Sequence, residues 1–339
     1  MKNKNLTPRE NLLLAYSHRC PEWIPNYRTD ICGRLPIEVH ERAPGGPQGG
    51  TGVDWFGVHW RAVPGIAGAT VDTTIPPVLD DVTKWEDVVK FPDLDAVDWK
   101  AAAERDAGMY DETKVRYMSI FNGPYERLHS LMGMVEANCA ILAEPEATYA
   151  LLEAITDYKI ALIDRLTDYY PLDLINLHDD WGHAQSTFLS PATWREMIKP
   201  HIKRIVDFVH SKGLYFDIHS CGYVEPLIPD MVEIGIDGWS SVQCMNDVKK
   251  ILRTYGNRIC LTGGMDNKEV RVPGLTVEQV HTLVGERIDD LCRGGALFPF
   301  GNTNANIPYL LDSIKSCLEE RKDFYDDPKN RIFPAIDEV

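Results

Sequence analysis

The chain has 339 residues, with 51 acidic against 35 basic side chains and a formal charge of −16. Without a basic stripe, that balance argues against nucleic acid or an anionic membrane as partner. No apolar run approaches the roughly 18 residues of a membrane span. The opening "MKNKNLTPRENLLLAYSHRC" lacks the apolar core of a signal peptide, so a cytoplasmic protein is expected. The 8 cysteines include no CxxC pair and are expected to be reduced, mostly in the core.

Thr7 and Pro8 predict a helix start, with Thr7 as cap and Pro8 at the first helical position. "APGGPQGGTG", 43–52, reads as a loop. Short strands and turns follow to Asp81, then two short amphipathic helices, "DVTKWEDVVKF" and "DAVDWKAAAERDAGMY". From residue 115 strand and helix alternate. "VRYMSIFNG" is a strand, followed by a helix over about Glu126 to Leu142 and a long one in "EPEATYALLEAITDYKIALIDRLTDYY". The strand "LINLHDDWG" leads to a helix capped by Ser190 and stopped by Gly213. "LYFDIHSCG", "GWSSVQCMND", "ICLTGGMD" and "GALFPFGN" read as the remaining strands, each with its helix.

Such alternation with short connections implies parallel strands and right-handed crossovers. Count and length predict an α/β fold, an eight-stranded (β/α) TIM barrel with an N-terminal helical and loop extension. One domain is expected over 1–339, with the extension and the first two barrel strands inside 1–80.

In a barrel of this kind chemistry sits where strands end. Those positions hold Asn122, Gly123, Pro124, Tyr125 and Glu126, then His178, Asp179, Asp180 and Trp181. They continue with His219 and Cys221, then Gln243, Cys244 and Asn246, then Met265 and Asp266, and finally Asn302 and Asn304. His219 and Cys221 are one residue apart, so on a strand both point the same way. An imidazole beside a thiolate suits zinc. A Cys–His nucleophile pair is the chemical alternative. A capped histidine beside a buried thiol is the structural one.

"FDIHSCG", "LHDDWG", "SPATWREMIKPHIKRI", "WSSVQ" and "LTGGMD" together resemble the uroporphyrinogen decarboxylase superfamily, and most closely its cobamide-dependent methyltransferase branch. The resemblance spans roughly 115–320 and implies that the HxC pair binds zinc. It also implies a corrinoid (cobalamin) carried by a separate partner protein. Better-known members add a cysteine after the last strand, and "LFPFGNTNAN" has none. Cys244 is therefore the favoured third metal ligand beside His219 and Cys221, with Glu126 and Asp179 as oxygen alternatives. By chemistry and position at the rim, Asp179, Asp180 and Glu126 are acid–base candidates, and Tyr125, Trp181 and Gln243 are candidate substrate contacts. Parity leaves open which of Asp179 and Asp180 faces the mouth.

The expected reaction moves a methyl group from a methylated substrate, favoured as a methoxylated aromatic, to Co(I) of the partner, with zinc as Lewis acid. Rival readings are methylcobamide:thiol methyl transfer, a decarboxylase of the uroporphyrinogen type, and a non-catalytic binding protein. A corrinoid-binding DxHxxG formed by Asp217, His219 and Gly222 lacks its downstream Ser-x-Leu partner.

Overall fold

The computed structural model describes residues 5–45, 49–63, 68–265, 272–301 and 309–333. Ten strands lie among them, and seven form one parallel sheet. In chain order the strands are β1 (Ile31–Cys32), β2 (Gly52–Val53), β3 (His59–Ala62), β4 (Ala69–Val71) and β5 (Val115–Ile120). Then come β6 (Leu174–His178), β7 (Tyr215–His219), β8 (Gly238–Val242), β9 (Cys260–Gly264) and β10 (Leu297–Phe300). The parallel sheet runs β1-β5-β6-β7-β8-β9-β10, so each strand pairs with the next one supplied by a crossover. Tyr27, just before β1, stacks on Phe298 and edges onto Phe300 of β10. The two ends of the sheet therefore curl toward one another, as a TIM-barrel-like fold requires.

The N-terminal part corrects one expectation. Among the described residues only β1 joins the parallel sheet ahead of β5; β2, β3 and β4 form a separate antiparallel sheet. The cause is local. Asp54 Oδ1 accepts from the backbone N–H groups of Phe56 and Val58, and Gly57 takes φ 85°. That tight turn folds β3 back onto β2, whereas successive barrel strands need a long crossover between them.

Helix signals match the chain locally. Thr7 caps the helix Pro8–Tyr16 in a capping box with Glu10, and Thr276 does the same with Gln279 for Val277–Leu291. Two expected helices are broken. Gly133, at φ 92°, separates Pro124–Met132 from Met134–Ala143. Ile198 separates Pro191–Met197 from Lys199–Ser211, because Pro200 has no N–H for the preceding turn.

The helix Pro8–Tyr16 closes the N-terminal end of the barrel. Leu12 and Tyr16 are buried there with Leu174 and Phe298. Arg9 from this helix and Arg116 from β5 both grip the Asp173 carboxylate, at 2.7–2.9 Å. The other end is left for the site. No helix among the described residues is long and apolar enough to cross a membrane.

Candidate metal centre at the barrel mouth

β6 and β7 pair in register, with Asn176 opposite Asp217 and His178 opposite His219. All four share one parity and so face the same side, in two layers. In the lower layer Tyr117 and Ser119 hydroxyls donate to Asn176 Oδ1, at 2.8 and 2.9 Å. Asn176 Nδ2 donates to Asp217 Oδ2 at 2.6 Å. In the upper layer the His178 and His219 rings stack, with centroids 3.9 Å apart and planes 10° from parallel.

Beyond His219 the chain turns, and Cys221 Sγ comes to 3.6 Å from His219 Nε2. The Cys221 N–H donates to Asp180 Oδ1 at 2.7 Å. One donor atom each from Asp180, His219 and Cys221 lies within 4.8 Å of the others. Three partly exposed groups thus converge at the mouth: one nitrogen, one sulfur and one oxygen.

Glycines and a bulge make the turn. Gly222 has φ 80°, and a Cβ there would strike the Gly182 backbone. Its N–H donates to Gln243 Oε1 at 2.8 Å. The bulge between Ser240 and Val242 puts Ser241 at φ 67°, with its hydroxyl 3.1 Å from Cys221 Sγ. A non-glycine residue in that conformation is strained, and here the strained residue touches the cysteine.

Burial sets the protonation states. It lowers His219 to about 4, with Glu126 opposing and Arg42 adding to the shift. It lowers His178 well below the usual range, with His219 adding. It raises Cys221 to about 12, with Asp180 adding, and it raises Asp180. A neutral imidazole beside a protonated thiol is the opposite of the ion pair that activates a cysteine nucleophile. The same pair offers ligands to a divalent cation, whose charge reverses the thiol's preference. The donor set therefore fits zinc, with a fourth position free.

The remaining candidates are placed as follows. Asp179 is fully buried and turned away from the cluster. It accepts from the Glu126 N–H and from Trp181 Nε1, both at 2.8 Å. Burial raises its carboxyl well above the usual range, with Glu126 adding. Glu126 Oε2 accepts from the Asn122 N–H at 3.1 Å and lies 3.6 Å from the Arg42 guanidinium. Cys244 is partly buried and not grouped with the three donors. Tyr125 is fully buried and donates to Asn138 Oδ1 at 2.9 Å. Trp181 is buried against Trp194. Asn246 Oδ1 holds the N–H groups of Val224 and Glu225. Met265 is buried. Asp266, Asn302 and Asn304 lie outside the described residues.

A cavity of about 660 Å³ opens beside this centre, with Tyr117, Ser119 and Phe121 of β5 and its end on one side and Arg34, His40 and Arg42 on the other. Phe121 packs on His178 with centroids 4.5 Å apart, and Arg42 lies over Phe121. Arg42 was not visible as a candidate in the sequence. It follows Glu41, which is buried against Arg127 and Lys159 and anchors this segment. The pairing of His178 with His219 did leave a signal, since "NLH" and "DIH" end adjacent strands with matching parity.

A family model described as uroporphyrinogen decarboxylase (URO-D) matches residues 63–293. Methylcobamide:CoM methyltransferase MtaA of Methanosarcina barkeri is 25% identical over 146 residues, which are 42% of this chain and 40% of that protein. The chain thus spans well under half of that relative's length. The solved structure of a methyltransferase from Methanosarcina mazei superposes with a TM-score of 0.68 at 16% identity, covering 95% of this chain and 100% of the other. It shares the fold.

Proposed function

The chain belongs to the uroporphyrinogen decarboxylase family, and from that premise we propose that it is a corrinoid-dependent methyltransferase, moving a methyl group from a methoxylated aromatic to Co(I) of a separate corrinoid protein. The observation that carries this reading is the Asp180, His219 and Cys221 cluster beside the 660 Å³ cavity. The likeness to a methylcobamide methyltransferase supports the corrinoid part.

In this reading His219, Cys221 and Asp180 hold a zinc ion. Bound there, zinc supplies Lewis acidity toward a substrate heteroatom. The protein does the rest. Burial keeps the His219 lone pair free of a proton, and stacking on His178 fixes the ring. Ser241 orients the Cys221 sulfur. Asp179 holds the start of the helix Pro124–Met132, and with it Glu126 beside Arg42. The ether C–O bond breaks, its electron pair stays on oxygen, and the methyl group bonds to cobalt, which passes from Co(I) to Co(III). The oxygen leaves as a phenolate and takes its proton from solvent.

A donor set with one sulfur leaves the metal more electrophilic than a sulfur-rich set would, which suits a neutral ether. The cavity volume falls in the range of small-molecule sites and suits an aromatic ring. A second reading, methyl transfer from methylcobamide to a thiol, is favoured by the activity in the relative's name. One experiment separates the two. The protein is mixed with a reduced corrinoid protein and a panel of methoxyarenes, and the visible spectrum is followed. Appearance of methyl-Co(III) is expected. If no methoxyarene methylates cobalt while a thiol demethylates methyl-Co(III), the thiol reading holds instead.

A further inference from the structure

On the outer layer of the barrel, the helices Val277–Leu291 and Leu310–Glu320 bring a second set of donor groups together. His281 projects from the first helix. Cys317 and Glu320, three residues apart, are neighbours on one face of the second. His281 Nε2 lies 3.0 Å from Glu320 Oε1. Cys317 Sγ sits 3.4 Å from the His281 carbonyl oxygen. A donor atom from each residue lies within 4.8 Å of the other two. Among the described residues only this group and the one at the barrel mouth meet that condition.

We propose that His281, Cys317 and Glu320 form a second divalent-metal site, selective for zinc-like ions, that staples the helix Leu310–Glu320 to its neighbour. Imidazole, thiolate and carboxylate together suit a borderline-soft ion such as Zn²⁺ or Co²⁺, and not Mg²⁺ or Ca²⁺, which require oxygen ligands. All three side chains stand on helices, so their spacing is set by packed elements and not by a loop. Cys317 is fully buried, while His281 and Glu320 are partly open to solvent. The site therefore has a closed back and an open front, where the ion enters and water completes four-coordination.

Arg321 is the cation to be reckoned with. It lies 3.5 Å from Glu320 Oε2 and donates to the Cys317 carbonyl oxygen. Its guanidinium is gripped by both oxygens of Asp289, at 2.6 and 2.8 Å. That contact offsets its charge beside the site. It engages the second oxygen of Glu320 and leaves Oε1 facing His281. Ion binding replaces the thiol proton and any proton shared between His281 and Glu320; no electron transfer is involved.

The test uses the full chain, stripped with a chelator and dialysed against micromolar zinc. Wild type is expected to retain one zinc more than His281→Gln, and the His219→Ala/Cys221→Ala protein, without the mouth site, still to retain one. Zinc should raise the melting temperature of that double variant and leave it unchanged once His281→Gln is added. With cobalt(II) bound to that same double variant, a thiolate-to-metal charge-transfer band should appear in the near ultraviolet and vanish when Cys317→Ser is added. If Cys317→Ser does not fold, His281→Gln and Glu320→Gln, both at partly exposed positions, carry the same comparison. The site is refuted if the double variant retains no zinc, or if it retains as much with His281→Gln as without. Neither result bears on the chemistry at the mouth.

Discussion

Cys221 is held as a thiol by burial, so it becomes a ligand only when a cation displaces its proton. We therefore expect about one zinc at the mouth of the native protein, lost on His219→Ala or Cys221→Ala, as elemental analysis will show. Asp180→Ala should retain less zinc and Cys244→Ser should retain it in full. The reverse order for these two would restore Cys244 as the third ligand. Ser241→Ala is expected to weaken zinc affinity by roughly 10-fold, since groups that orient a ligand carry effects of that size. The HxC pair was legible because a spacing of two fixes a shared direction on any strand. The third donor was not. Asp179 and Asp180 are adjacent, and the choice between them depends on Asp179 turning toward Glu126 and Trp181, partners distant in sequence or placed by the fold.

Among the elements, caps were readable because their chemistry is local: Thr7 with Glu10, and Thr276 with Gln279, each satisfy a helix end within four residues. The segment 33–45 was not readable, because what holds it is distant. Glu41 meets Arg127 and Lys159, and Tyr158 donates to it at 2.8 Å. All three ionic side chains are fully buried. Arg127 also pairs with the buried Asp54, so Glu41→Gln leaves Lys159 as the cation without a buried carboxylate partner, and we expect a loss of about 3–5 kcal/mol in urea unfolding. Because Glu41 carries Arg42 to the cavity wall, substrate affinity should fall in the same variant. A stable protein with unchanged affinity would show that the network does not position Arg42. The turn after β7 is equally exacting. Gly222→Ala meets both a positive φ and the Gly182 backbone. It should displace Cys221 and cost the mouth its zinc even where the fold survives.

Across the whole molecule, the barrel's two ends divide the labour. The mouth gathers desolvated titratable groups, and the opposite end is closed by the helix Pro8–Tyr16 through Arg9, Asp173 and Arg116. Alternation of strands and helices made the barrel legible from residue 115 onward, but nothing in sequence order announced that Arg9 would reach a carboxylate 164 residues away. That contact yields a pH prediction. Burial raises the Asp173 pKa, but hydrogen bonds from Arg9 and Arg116 outweigh it, and the net shift is well below the ordinary carboxylate range. In the unfolded chain the group titrates near 3.9. Between those two values the unfolded state binds the proton and the native state does not, so stability rises with pH there. The contribution is complete above about pH 5 and is lost as the pH falls through the native value. Asp173→Asn removes it. Both arginines are partly exposed, so we expect a loss of about 2 kcal/mol at pH 7, below the figure for a fully buried pair. Urea unfolding of wild type and Asp173→Asn at pH 7, 5 and 3 should show a gap that stays constant from 7 to 5 and narrows by 3. A gap of the same size at pH 3 would mean that Asp173 holds the barrel floor by packing and hydrogen bonding alone, with no part played by its charge.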